Sequence, residues 1–160
     1  ACAVIVWVLT RKLDLSYALK DINRPTIGEL LYPVSVLIAA YVAHDTWIFT
    51  VSILFLAVAD GTAALIGKRY GTKRMTYKVY MGKKTLQGSL AYLLCAYLVL
   101  GIGALLGGNT AILHTPVITL GWLPIVCVFI ENISPLGTDN LTVPLLVVTV
   151  LNFAATLALL

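Results

Sequence analysis

The feature that most constrains this chain is the stretch from Thr85 to Ile130, which contains no Asp, Glu, Lys or Arg. A membrane-spanning helix needs about 20 apolar residues, so this stretch is too long for one span. The turn signal Gly107-Gly108-Asn109 divides it into two predicted helices. The whole chain is 60% hydrophobic and 11% charged, whereas soluble domains usually carry about 25% charged residues. The predicted fold class is therefore all-α, a polytopic helical membrane protein.

Hydropathy predicts about six transmembrane helices in a single integral-membrane domain over residues 1–160. The predicted spans are residues 1–10, 25–43, 47–67, the two halves of 85–130, and 141–160. The first of these is too short to cross a bilayer. We therefore expect it to be truncated and the chain to lack an N-terminal portion.

The basic residues predict the orientation. Seven of the eleven Lys and Arg lie between Lys68 and Lys84, and the other four lie between Arg11 and Arg24. With six spans, these two loops and the polar loop 131–140 emerge on the same side of the membrane. The positive-inside rule places that side in the cytoplasm. We therefore expect a multi-pass protein whose basic loops and active site face the cytoplasm.

Asp60 lies inside the predicted third span, about two helical turns from its cytoplasmic end. A carboxylate in a bilayer costs about 3 kcal/mol or more, so it needs a metal ion, a partner or water. Asp60 is therefore either a Mg²⁺ ligand or proton acceptor, or a structural hydrogen-bond partner of a neighbouring helix. Glu131 and Asp139 could complete a Mg²⁺ site, since few carboxylates are needed beside phosphate oxygens and waters. Alternatively, each is a solvated acid at a helix end.

A second candidate site is the segment Gly82 to Ser89, which leads into the predicted fourth span. Lys83, Lys84 and Thr85 stand at a helix start, where charge and backbone N–H groups favour phosphate. The alternative is a basic anchor that touches anionic lipid. The basic and aromatic character of this loop could also suit nucleic acid, but the membrane context excludes that partner.

The region from Ala59 to Gly71 carries small residues at every fourth position, which predicts close helix packing. It is not a P-loop, because five residues separate Gly61 from Gly67 and no Ser or Thr follows Lys68.

Three segments, taken in order, resemble a family of membrane enzymes that use CTP on lipids. They are residues 59–71, 83–89 and 131–144, with weaker support from residues 24–29. The chain is similar here to phytol kinases, dolichol kinases and CTP-dependent diacylglycerol kinases, with phosphatidate cytidylyltransferases as relatives. The ending from Asp139 to Pro144 resembles the polyprenol and phytol kinase branch. Gln87 departs from the pattern, because it stands where the family carries an acidic residue.

The resemblance implies a CTP-dependent lipid kinase. Such an enzyme transfers the γ-phosphate of CTP to a long-chain alcohol (phytol, polyprenol, dolichol or diacylglycerol) with Mg²⁺ as cofactor. Its partners would be CTP, the lipid alcohol and the bilayer, and a homo-oligomer is compatible with the sequence. The implied catalytic residues are Asp60, Lys83 and Lys84. The implied metal ligands are Asp60, Glu131 and Asp139. The implied CTP-binding residues are Lys68, Arg69, Thr85, Gly88, Asn140 and Arg24.

Two other functions fit the same residues. In a CDP-lipid synthase, a phosphatidate attacks the α-phosphate of CTP and releases pyrophosphate, with the same lysines and Mg²⁺. In a membrane transporter or non-catalytic subunit, Asp60 would be a coupling or packing residue. Transporters often contain internal repeats, and the sequence shows no convincing repeat.

Overall fold

The computed structural model describes residues 27–79, 82–106 and 117–158. Within these ranges the chain forms helices and one short β-hairpin. The helices are α1 (Gly28–Val42), α2 (Thr46–Leu54), α3 (Gly61–Tyr70), α4 (Leu86–Leu106), α5 (Val117–Ile133) and α6 (Asp139–Ala158). A π-helical segment, Phe55–Asp60, joins α2 to α3, so that residues 46–70 form one continuous helix. The hairpin consists of β1 (Thr76–Val79) and β2 (Gly82–Thr85).

Three of these helices are long and apolar enough to cross a membrane. They are Thr46–Tyr70, Leu86–Leu106 and Asp139–Leu157, and two shorter apolar helices cover Gly28–Val42 and Thr119–Ile133. All five fall where the second to sixth spans were predicted, which agrees with the all-α class and a membrane location. Three helices qualify by length and composition in the described ranges, so the predicted count of six spans is not shown. The predicted first span and Arg24 lie outside those ranges.

The helices pack around one apolar core in which α4 and α6 are central. Helix α4 contacts the π-helical segment, α3 and α5, while α6 contacts α1, α2 and α5. The largest fully buried side chains come from four helices and the π-helical segment: Ile48, Phe55, Tyr92, Leu100, Leu123 and Leu151. Large apolar side chains also cover the outside of the bundle, among them Leu65, Leu94, Leu98, Leu105 and Phe153. An apolar exterior of this kind suits contact with lipid.

Glycines allow α3 and α4 to approach closely. A β-carbon on Gly88 would lie 3.0 Å from the carbonyl oxygen of Ala63, and one on Gly67 would lie 3.0 Å from Thr85 Oγ1. This contact confirms that the small residues of α3 serve helix packing. It also brings the basic end of α3 beside the start of α4.

The predicted basic loop at residues 68–84 is partly structured. Helix α3 extends to Tyr70, and after a 3₁₀ turn the hairpin pairs Tyr77 with Lys84 and Lys78 with Lys83. Thr76, Tyr77 and Val79 favour a strand in β1, whereas β2 contains one β-branched residue, Thr85. Thr85 is the N-cap of α4, because its Oγ1 accepts a hydrogen bond from the Gly88 N–H at 3.2 Å.

Candidate active site

Three acidic side chains from different parts of the fold meet at one end of the bundle. They are Asp60 at the end of the π-helical segment, Glu131 in the last turn of α5, and Asp139 at the first residue of α6. Each offers a carboxylate oxygen, and these oxygens all lie within 4.8 Å of one another. Only 4% of Glu131 is exposed. Such a set of hard oxygen donors suits Mg²⁺.

The π-helical segment places Asp60. π-helical segments are rare in proteins, and those that occur are often found at functional sites. Two residues after Asp60, the Thr62 hydroxyl donates to the carbonyl oxygens of Val58 at 2.7 Å and Ala59 at 3.0 Å. The hydroxyl therefore satisfies backbone acceptors where the helical pattern changes. The sequence predicted Asp60 inside a helix but gave no signal for the π-helical turn.

A tight turn places Asp139. The Thr138 N–H donates to the Pro135 carbonyl at 3.0 Å, and the two residues between them, Leu136 and Gly137, have φ angles of 54° and 84°. Two positive φ angles define a type I′ turn. The Thr138 carbonyl then accepts the first hydrogen bonds of α6. Asp139 therefore lies at a helix N-terminus, where the dipole favours a negative charge.

Lys84 is the cation closest to the acidic cluster. Its Nζ forms an ion pair with Glu131 Oε1, and it also acts electrostatically on Asp60 and Asp139. Within residues 27–79, 82–106 and 117–158, this is the single ion pair. When all four groups are ionised, the three carboxylates and the lysine that pairs with them carry a net charge of minus two. One divalent cation would neutralise that net charge.

A cleft of about 290 Å³ opens beside the cluster. Carboxylates form one part of its wall and lysines another, while small residues of α3 and α4 leave the space between them. Seven predicted site residues line it: Asp60, Lys68, Lys83, Lys84, Thr85, Gly88 and Glu131. The cleft thus joins positive charge for phosphate groups to negative charge for a cation.

The other predicted site residues are placed differently. Asp139 and Asn140 line a smaller adjoining pocket that shares Asp60 and Glu131 with the cleft. Arg69 is exposed and does not line the cleft; its guanidinium lies 5.5 Å from the ring centroid of Tyr70. This difference from Lys68 follows from the rotation of about 100° between successive helical residues. Arg24 lies outside the described residues.

A polar network holds the hairpin against the helices. Tyr77 Oη lies 2.5 Å from Ser89 Oγ on α4, and it donates to Asn132 Oδ1 on α5 at 2.8 Å. Ser89 Oγ also donates to Asn132 Oδ1, at 3.2 Å. Because Tyr77 pairs with Lys84 in the hairpin, this network places Lys84 next to Glu131. Ser89 and Asn132 lie in segments that were singled out in the sequence, but their contacts with Tyr77 were not predicted, since only the strand register brings these residues together.

Two more side chains were not predicted in their present roles. Gln87 faces the base of the hairpin, where its Nε2 lies 3.2 Å from Met75 Sδ. Its departure from the family pattern therefore removes no carboxylate from the cluster. Tyr92 of α4 is buried at the back of the smaller pocket, beside the three acids.

Comparison with known proteins identifies one curated relative. The chain is 33% identical over 142 residues to the phytol kinase of Synechocystis sp.. The match covers 86% of this chain and 59% of the relative, so the chain spans about three fifths of that kinase. No protein-family model and no solved structure matches the chain.

Proposed function

We propose that this chain is part of a membrane lipid kinase that transfers the γ-phosphate of CTP to a long-chain alcohol. The observation that carries the proposal is the cleft, which combines three lysines with carboxylates of the acidic cluster. The similarity to a phytol kinase over most of the chain supports it. An isoprenoid alcohol such as phytol or a polyprenol is the proposed acceptor.

The acidic cluster fits a Mg²⁺ ion. Oxygens on opposite sides of one Mg²⁺ are roughly 4.2 Å apart, twice the bond length of about 2.1 Å. The spacing within 4.8 Å therefore requires only small side-chain movements. Asp60, Glu131 and Asp139 would hold the ion, and when bound it would neutralise charge on the phosphates. The excess of two negative charges favours a divalent ion over a monovalent one.

The basic part of the cleft suits the triphosphate. Lys68 and Lys83 are exposed at its rim. The N-terminus of α4 adds the partial positive charge of the helix dipole. Phosphoryl transfer depends mainly on positioning the substrates and on neutralising charge. Lysines and a helix N-terminus are groups of the type that this reaction requires.

We assign Asp60 to the acceptor alcohol, because two acids line both the cleft and the smaller pocket and Asp60 is the one that is not paired with Lys84. In the proposed step the alcohol oxygen bonds to the γ-phosphorus. The bond from that phosphorus to the bridging oxygen of the β-phosphate breaks, and CDP leaves. The alcohol proton passes to the Asp60 carboxylate. Exposed apolar residues on the helices that line the cleft, such as Leu65 of α3 and Leu90 of α4, would accommodate the hydrocarbon chain.

The test uses CTP labelled separately at its α- and γ-phosphates. The full-length protein is incubated with Mg²⁺ and with phytol, a polyprenol, diacylglycerol or phosphatidate. We expect the γ-label in a phosphorylated isoprenoid alcohol and the α-label in CDP. An α-label in lipid would instead indicate a CDP-lipid synthase. No transfer would favour a transporter or a non-catalytic subunit.

Two variants make the assay specific to the cleft. Asp60→Asn should abolish transfer while the protein still inserts in the membrane. Asp45→Asn is the matched control, because Asp45 caps the distant start of α2 by accepting the Trp47 N–H at 2.6 Å. An Asn oxygen can accept that bond equally well. Full activity in Asp60→Asn would contradict the role assigned to this carboxylate.

A further inference from the structure

Tyr92 has a buried hydroxyl with no hydrogen-bond partner among the described residues. The residue is 1% exposed. Buried polar side-chain atoms are nearly always hydrogen-bonded, and buried tyrosines usually place their O–H against an acceptor. The hydroxyl is therefore available to donate a hydrogen bond to an acceptor that comes close to it.

The surroundings of the hydroxyl point to the acidic cluster. Tyr92 lines the smaller pocket together with Asp60, Glu131 and Asp139. Ionised carboxylates only accept hydrogen bonds, whereas a phenol can donate one. The rest of the Tyr92 side chain is fixed in the core between the helices.

We propose that Tyr92 is a positioning residue of the cation site. Its O–H donates to a carboxylate oxygen of the cation-loaded cluster and so orients the ligands. The inference rests on the proposed function, since it requires the cluster to bind a divalent cation. Outer partners that orient metal ligands typically contribute 10- to 100-fold in metal affinity.

The test measures metal binding without turnover. Purified full-length protein in nanodiscs is titrated with Mn²⁺, and free Mn²⁺ is followed by electron paramagnetic resonance. We expect Tyr92→Phe to bind Mn²⁺ about tenfold more weakly than the wild type. The matched control is Tyr97→Phe on the same helix, whose hydroxyl donates to the distant Gly121 carbonyl at 2.6 Å. Its Mn²⁺ affinity should stay within about twofold of the wild type.

A second measurement separates positioning from a structural role. Without metal, Tyr92→Phe should unfold at the same temperature as the wild type or higher, because the lost hydroxyl had no partner. With saturating Mn²⁺, the rise in its unfolding temperature should be smaller than that of the wild type. A lower unfolding temperature without metal would overturn the inference in favour of a structural hydroxyl.

The outcomes distinguish this inference from the proposed function. Wild-type affinity in Tyr92→Phe, together with lost binding in Asp60→Asn, would overturn the role of Tyr92 and leave the metal-dependent kinase in place. A wild-type protein that binds no Mn²⁺ would overturn both the inference and the metal part of the proposed function.

Discussion

At the scale of single residues, Lys84 offsets one of the three negative charges of the acidic cluster. Its ammonium group pairs with Glu131, which is 4% exposed, while the Lys84 side chain is 32% exposed. The pair joins the hairpin to α5. Removing one member of a buried ion pair lowers the stability of the protein. The charge that remains is still shielded from water but no longer has a partner of opposite sign.

Lys84→Met should therefore destabilise the protein. We expect the free energy of unfolding to fall by about 2 kcal/mol, less than for a fully buried pair because Lys84 is partly solvated. Denaturant unfolding in detergent measures the change. Adding Glu131→Gln to this variant should recover part of the loss, since the unpaired charge is then gone.

Lys83→Met is the control for this effect. Lys83 is the next residue in the chain and is exposed, and it forms no ion pair in the described part of the chain. Its replacement should change the free energy of unfolding by no more than about 0.5 kcal/mol. Equal losses in the two lysine variants would contradict a specific contribution from the pair with Glu131.

At the scale of the elements, the site depends on how closely α3 and α4 pack. Gly88 faces α3, and a β-carbon there would lie 3.0 Å from both the Ala63 carbonyl oxygen and Thr85 Oγ1. Contacts this short require the neighbouring atoms of α3 and of Thr85 to shift by a few tenths of an ångström. The cleft would then change shape, because residues of both helices line it.

Gly88→Ala should accordingly lower both stability and activity. Overpacking of this kind costs roughly 1–3 kcal/mol. Gly101→Ala is the matched control on the same helix, since a β-carbon there meets no atom within 4 Å. Because Ala favours helices over Gly by about 1 kcal/mol, that variant should be slightly more stable. The unfolding temperature should fall for Gly88→Ala and rise slightly for Gly101→Ala. Destabilisation of equal size in both variants would contradict the importance of close packing at Gly88.

The elements also show what the sequence could predict. Helices α1 to α6 follow from local hydropathy, and α1 begins and ends within a few residues of the predicted span. The three acids were predicted because a carboxylate in or beside an apolar span is unusual. Their distance from one another was not predictable, since it depends on how the π-helical segment, α5 and α6 pack. Tyr92 gave no signal at all, because a tyrosine in an apolar helix resembles any core residue.

At the scale of the whole molecule, polar chemistry is concentrated at one end of the bundle. The hairpin, the cleft and the N-terminus of α6 lie there. At the opposite end of α6, Asn152 holds the turn between α1 and α2. Its Nδ2 donates to the Val42 carbonyl at 2.9 Å, and its Oδ1 accepts from the His44 N–H at 3.1 Å. The two ends therefore differ in structure, and the three lysines that line the cleft lie at the end opposite to Asn152.

This asymmetry predicts the orientation in the membrane. The hairpin end carries exposed Lys73, Arg74 and Lys78, and the positive-inside rule places it in the cytoplasm. Single cysteines at Lys73 and at His44, in a background without native cysteines, can be probed with a membrane-impermeant maleimide. In intact cells the reagent should label His44→Cys, whereas Lys73→Cys should react only after permeabilisation. The reverse pattern would place the cleft outside the cytoplasm, away from the CTP pool, and would contradict the kinase as proposed.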